Sequence, residues 1–87
     1  MATKEQFEQA AAKIKLLSAR PSNDDLLQLY AFYKQATDGD VKGSRPGMFD
    51  IKARKKFEAW AWKKGMYSET AMEEYIALAE RLLDASK

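Results

Sequence analysis

The residues of this chain best suited to recognition chemistry are Tyr30-x-x-Tyr33-Lys34. On a helix, positions 30 and 33 share a face and 34 sits one turn above 30, so two phenols and an ammonium line one patch. A tyrosine ring can cover a flat base while a hydroxyl and a lysine hold phosphate. The same pattern also describes two core tyrosines with their hydroxyls at the rim, and spacing alone leaves both open. Tyr75 lies on the inward stripe of a later segment. Residues 42–64 carry eight Lys/Arg and two Asp/Glu, a block worth +6, whereas residues 1–41 sum to −1 and residues 65–87 to −3. Such a block is a solvated helix face or an anion site for phosphate, nucleic acid or an acidic membrane surface. Three tyrosines beside a cationic helix describe a site for a ligand with phosphates, a base and an apolar part.

Other chemistry is excluded. Cysteine and histidine are absent from the 87 residues. Disulfides, zinc fingers, iron–sulfur clusters, cysteine nucleophiles and His-based catalytic sets therefore have no residues to build them. No glycine motif for a nucleotide cofactor occurs, so no enzyme, no metal and no cofactor are expected. Asp38-x-Asp40-x-Lys42-Gly43 opens like a calcium-binding loop, but Lys42 stands where an oxygen ligand belongs and Phe49 where a bidentate Glu belongs. A helix-turn-helix reading fails because that motif needs a turn of about 3–4 residues before its recognition helix. Here the whole 38–49 stretch intervenes.

These side chains need elements to position them. A hydrophobic content of 46% against 32% charged fits a folded chain, and the length fits one domain, residues 1–87. The longest apolar runs are five residues, Leu29–Tyr33 and Tyr75–Ala79, far short of the ~20 that cross a bilayer. No basic stretch followed by an apolar one marks a secretory signal, so a cytoplasmic location is expected.

Four helices are predicted and no strands. The first starts at Thr3, which makes a capping box with Gln6, carries Phe7, Ala10, Ala11, Ile14 and Leu17 on one face, and ends at Pro21. The second starts at Ser22 as N-cap, with Gly39 as C-cap. The third starts at Asp50, turns Ile51, Phe57, Trp60 and Ala61 inward and stops at Gly65. Its first turns carry Lys52, Arg54, Lys55 and Lys56, which oppose the helix dipole, so helix stability does not ask for them there. The fourth runs from about Ser68 to about Ala85, with a clean inward stripe through Met72, Tyr75, Ile76, Ala79, Leu82 and Leu83. The 38–49 loop is long for a helix connection, which suits a functional loop or one that spans a large distance.

The run Tyr30-Ala31-Phe32-Tyr33-Lys34-Gln35-Ala36-Thr37-x-Gly39-Asp40, followed by Arg45-Pro46-Gly47-Met48-Phe49-Asp50, resembles the acyl-CoA-binding protein family, also called diazepam-binding inhibitor. Lys52, Lys56, Ala59-Trp60, Lys64-Gly65, Ala71-Met72 and Tyr75-Ile76 continue the resemblance across nearly the whole chain. It implies an all-α, four-helix up-down-down-up bundle. It also implies a carrier that binds medium- to long-chain acyl-CoA one to one, without catalysis. By the same resemblance Tyr30, Lys34 and Lys56 hold the 3′-phosphate, Tyr33 packs on the adenine, and Tyr75 lines the nucleotide and acyl site. Lys15, Arg20 and Lys52 match positions near the ligand. Phe57, Ala61, Lys63 and Lys55 depart from the usual family residues, and Tyr67 falls where the family has the Ser that caps the last helix, one step before Ser68.

The implied partners are the acyl-CoA ligand and, transiently, acyl-CoA-using enzymes and membranes. Nucleic acid is not among them, and the chain is expected to be a monomer. The rival readings are a sequence-blind nucleic-acid binder and a helical adaptor without a small ligand. A core this small cannot enclose a long acyl chain, so a surface groove is expected. The resemblance implies walls from the first two helices, through Leu26, Leu27 and Ala11, with Tyr75 and Ile76 closing the far side.

Overall fold

Short polar caps fix where the helices begin. In the computed structural model, which describes residues 3–85, α1 spans Lys4–Ile14, α2 Asn23–Thr37, α3 Ile51–Ala61 and α4 Ser68–Ala85. Thr3 and Gln6 form the reciprocal capping box, with both bonds at 3.1 Å. Ser22 Oγ accepts from Asp25 N–H at 3.1 Å, and Asp50 Oδ1 from Ala53 N–H at 3.3 Å. Gly39 follows the α2 cap residue Asp38 at φ +83°, a conformation that only glycine adopts readily.

α1 is shorter than its apolar stripe suggests. Leu16 and Leu17 donate to the carbonyls three residues back, at 2.9 and 3.3 Å, which tightens the last turn and ends the helix before Pro21 is reached. Leu17 is thus half-buried in the connection rather than on the helix.

α4 packs against both α1 and α2, while α3 packs on α2 alone. The core joins Phe7 and Ala10 of α1, Leu29 and Ala36 of α2, and Ala71, Tyr75, Leu78 and Ala79 of α4. Ala71 and Ala79 are fully buried, and such small side chains let the helix axes approach closely. Lys56 meets Tyr30 and Trp60 meets Lys34, so α2 and α3 run in the same direction. Ser68 meets Ala36 and Tyr75 meets Tyr33, so α4 runs back along α2. These directions are the down-down-up part of the expected topology. Two parallel consecutive helices need a connection as long as the helix itself, ~22 Å for fifteen residues, and that explains the length of the 38–50 loop.

The loop is tied down at its start. Trp60 Nε1–H donates to Gly39 O at 2.8 Å. Gln35, buried in the core region, donates through Nε2 to Asp40 Oδ1 and to Met66 O, both at 2.9 Å. Gly65 N–H also donates to Asp40 Oδ1, at 2.8 Å. One carboxylate thereby joins the end of α2, the loop and the entry to α4.

Candidate functional site

Tyr30 and Tyr33 leave α2 on adjoining sides, because α2 is the wall shared by α3 and α4. Tyr30 is half-buried toward α3, where the Lys56 ammonium stands 5.4 Å from its ring centroid. Tyr33 turns the other way, 5.3 Å from Phe7 and 6.0 Å from Tyr75 between ring centroids. Phe7 and Tyr75 close the triangle edge-to-face at 5.1 Å. Tyr33 remains 42% exposed whereas Tyr75 is only 5% exposed. Of the two open readings, core or exposed patch, Tyr33 takes the second and Tyr75 is a core ring. Burial holds the Tyr75 phenol above its ordinary pKa, so it stays a neutral hydrogen-bonding group.

Between α2 and α3 runs a groove of about 440 Å³. Leu26, Leu27, Tyr30 and Ile51 give it apolar walls. Arg20, Lys52, Lys55 and Lys56 give it four cations against the single carboxylate of Asp24. The cations that oppose the α3 dipole thus line a concave surface, where they attract an anion rather than stabilise the helix. A second groove, about 490 Å³ between α1 and α4, is slightly larger. Glu73 and Glu80 face Lys13 in it, and no aromatic ring lines it. Its charge is wrong for phosphates, so the α2–α3 groove is the better anion site.

Lys34 has a partner of its own. Its ammonium pairs with Asp38 one turn on and lies 5.0 Å from the Trp60 ring centroid. The Asp38 hydrogen bond raises the Lys34 pKa, and the same bond lowers that of Asp38. In the ligand-free chain Tyr30 and Lys56 meet, while Lys34 is held by a carboxylate. The i, i+4 spacing of Lys34 and Asp38 could have revealed this in the sequence. Lys15 is exposed at the C-cap of α1 and is not among the groove residues.

The apolar walls of this groove can be traced to their helices. They come from α2 and α3, not from α1 and α2, because α1 packs on α4. Ala11 packs partly buried against the core, and Ile76 lines the α1–α4 groove. Leu26 and Leu27 both reach the groove, each half-buried. Ile51, expected inside, is 63% exposed at the groove margin. It is the first residue of α3, and α3 has a neighbour on one side only.

The chain matches the family model described as "Acyl CoA binding protein" over residues 4–79. It is 52% identical to an acyl-CoA-binding protein of Brassica napus over 85 residues, covering 98% of this chain and 92% of that one. With the Saccharomyces cerevisiae acyl-CoA-binding protein it shares 49% identity, covering 88% of each. Acyl-CoA-Binding Protein 2 of Oryza sativa superposes with a TM-score of 0.89 at 45% identity, covering 94% of this chain and 91% of that one. The protein of that family from Moniliophthora perniciosa gives 0.93 at 31% identity, covering 99% and 85%.

Proposed function

The chain belongs to the acyl-CoA-binding protein family, and from that premise we propose that it binds medium- to long-chain acyl-CoA one to one and serves as an intracellular carrier and buffer. The observation that carries this reading is the α2–α3 groove, which sets four cations and a tyrosine ring beside leucine and isoleucine walls. A CoA ester has the matching parts: phosphates, a flat base and an apolar tail. The chain holds its ligand without transforming it, as befits a family of binding proteins.

In this reading Tyr30 and Lys56 receive the 3′-phosphate. Lys34 joins them when the phosphate displaces Asp38. Tyr33, exposed on a support of Phe7 and Tyr75, offers its face to the adenine. Leu27 and Leu26 receive the acyl tail, and Lys15 lies at the margin. The chain acts as a monomeric domain over residues 1–87, in the cytoplasm, without a cofactor. It exchanges ligand by transient contact with acyl-CoA-using enzymes and membranes.

The test is calorimetry across a series of acyl-CoA chain lengths. Affinity should rise by up to ~0.8 kcal/mol per methylene and level off where the apolar wall ends, between about C14 and C20. A flat series would leave a CoA binder whose ligand tail stays in water.

A further inference from the structure

The most exposed large apolar side chain in the described structure is Phe49, at 95%. Met48 beside it is 73% exposed, and Ile51 follows at 63%. Three such residues within four positions are unusual on a protein surface. They also sit on a well-held backbone. Asp50 N–H donates to Gly47 O at 3.1 Å, Arg54 Nη1–H to Met48 O at 3.5 Å, and the Asp50 carboxylate caps α3. The turn therefore presents Met48 and Phe49 outward in a fixed way. Cations flank them in sequence. Lys52, Arg54 and Lys55 follow the turn, and Arg54 reaches back to Met48 O; Arg45 precedes it but is paired with Glu58, and Asp50 is committed as the cap.

We propose that the Met48–Phe49–Ile51 tip is a docking point for an anionic lipid surface. An apolar point flanked by Lys52, Arg54 and Lys55 matches the depth profile of such a surface, where acyl chains lie beneath negative headgroups. A protein partner would need a concave apolar socket rimmed by carboxylates, whereas a bilayer needs only to part around the tip. Ile51, Lys52 and Lys55 belong both to this tip and to the α2–α3 groove. A surface that takes the tip therefore lies across one end of the groove, so a tail leaving the groove meets lipid rather than water. The proposal adds a place to the membrane contact stated above, but the tip's binding to lipid does not require the acyl-CoA reading to hold.

The experiment is co-sedimentation of the ligand-free chain with vesicles of phosphatidylcholine alone and of phosphatidylcholine with phosphatidylglycerol. Binding should be at least about tenfold stronger to the anionic vesicles and should weaken with salt. The double substitution Met48→Ser, Phe49→Ser should lower it by about tenfold or more. Both residues are exposed and neither lines the groove, so palmitoyl-CoA affinity should stay within about twofold. Phe49→Trp serves as an independent reporter, its emission shifting to the blue on anionic vesicles relative to the parent. Equal binding to both vesicle types would overturn the proposal, as would undiminished binding of the double variant or an unshifted Trp reporter. A dimer that the double variant abolishes would overturn it in favour of a second copy of the chain. Loss of palmitoyl-CoA binding by the parent would count against the carrier reading and leave the tip's lipid binding standing.

Discussion

Lys34 faces two competing anions. In the free protein its ammonium pairs with Asp38; in the proposed complex it must turn to a phosphate. Both partners of the pair are partly exposed, so the pair is a weak restraint and not a lock. Asp38→Asn should therefore tighten acyl-CoA binding by about twofold, the size of an exposed i, i+4 pair, with no gain toward a ligand that lacks the 3′-phosphate. Calorimetry with both ligands checks this, and an equal gain toward both would mean that Asp38 acts on the whole ligand charge. Lys56 lies over the Tyr30 ring, in a groove whose one carboxylate is Asp24. Tyr30 and Lys56 were legible as a pair only through the resemblance, since one is on α2 and the other on α3. The Lys34–Asp38 pair is the opposite case: its i, i+4 spacing is plain in the sequence.

Helix boundaries were legible where a cap residue marks them. Ser22 and Asp50 cap α2 and α3 at the expected starts, and α4 begins at Ser68 as expected, whereas α3 ends at Ala61 rather than running to Gly65. The end of α1 and the facing of Ile51 were not legible, because tertiary neighbours set both and a local pattern does not report neighbours. The junction of α2, loop and α4 also escaped notice. Gln35 looks like an ordinary polar helix residue, yet it is buried with bonds to Asp40 and Met66. Gln35→Leu should remove both bonds and leave the Met66 carbonyl without this donor, at a cost of about 1–3 kcal/mol in urea unfolding. Unchanged stability would show that the junction is held by packing alone.

Asp40 gives this junction a pH dependence. The Gly65 N–H, and after it the Gln35 amide, hold its carboxyl below the usual range. The unfolded chain then binds the proton more readily than the folded one. The stabilisation is present above the unfolded pKa of about 4 and is lost as pH falls through the lower folded value. Unfolding curves between about pH 5 and about pH 3 should show this loss, and Asp40→Asn should flatten it while lowering stability at neutral pH. A variant that keeps the full acid slope would assign the slope to other carboxylates.

The described molecule is a thin slab, 38 × 28 × 15 Å across its Cα atoms. A body this thin cannot surround a long acyl chain, so the ligand must lie in a groove with part of it near the surface. Charge is distributed to match. The +6 segment supplies three of the groove's four cations, and flanking segments worth −1 and −3 limit how much polyanion the whole surface can attract. Duplex DNA should therefore bind only weakly at physiological salt. Sub-micromolar retention in a gel shift would add a second function or replace the carrier reading.

The central claim is that the α2–α3 groove holds a CoA ester with its 3′-phosphate against Tyr30 and Lys56. Titration of palmitoyl-CoA and palmitoyl-dephospho-CoA into the parent chain and into Lys56→Ala tests it most directly. The account predicts one ligand per chain. It predicts a loss of about 1.5–3 kcal/mol for the variant toward palmitoyl-CoA, as for a hydrogen bond to a charged group, and little loss toward the dephospho ligand. Equal losses toward both ligands, or no saturable binding of palmitoyl-CoA by the parent, would contradict it.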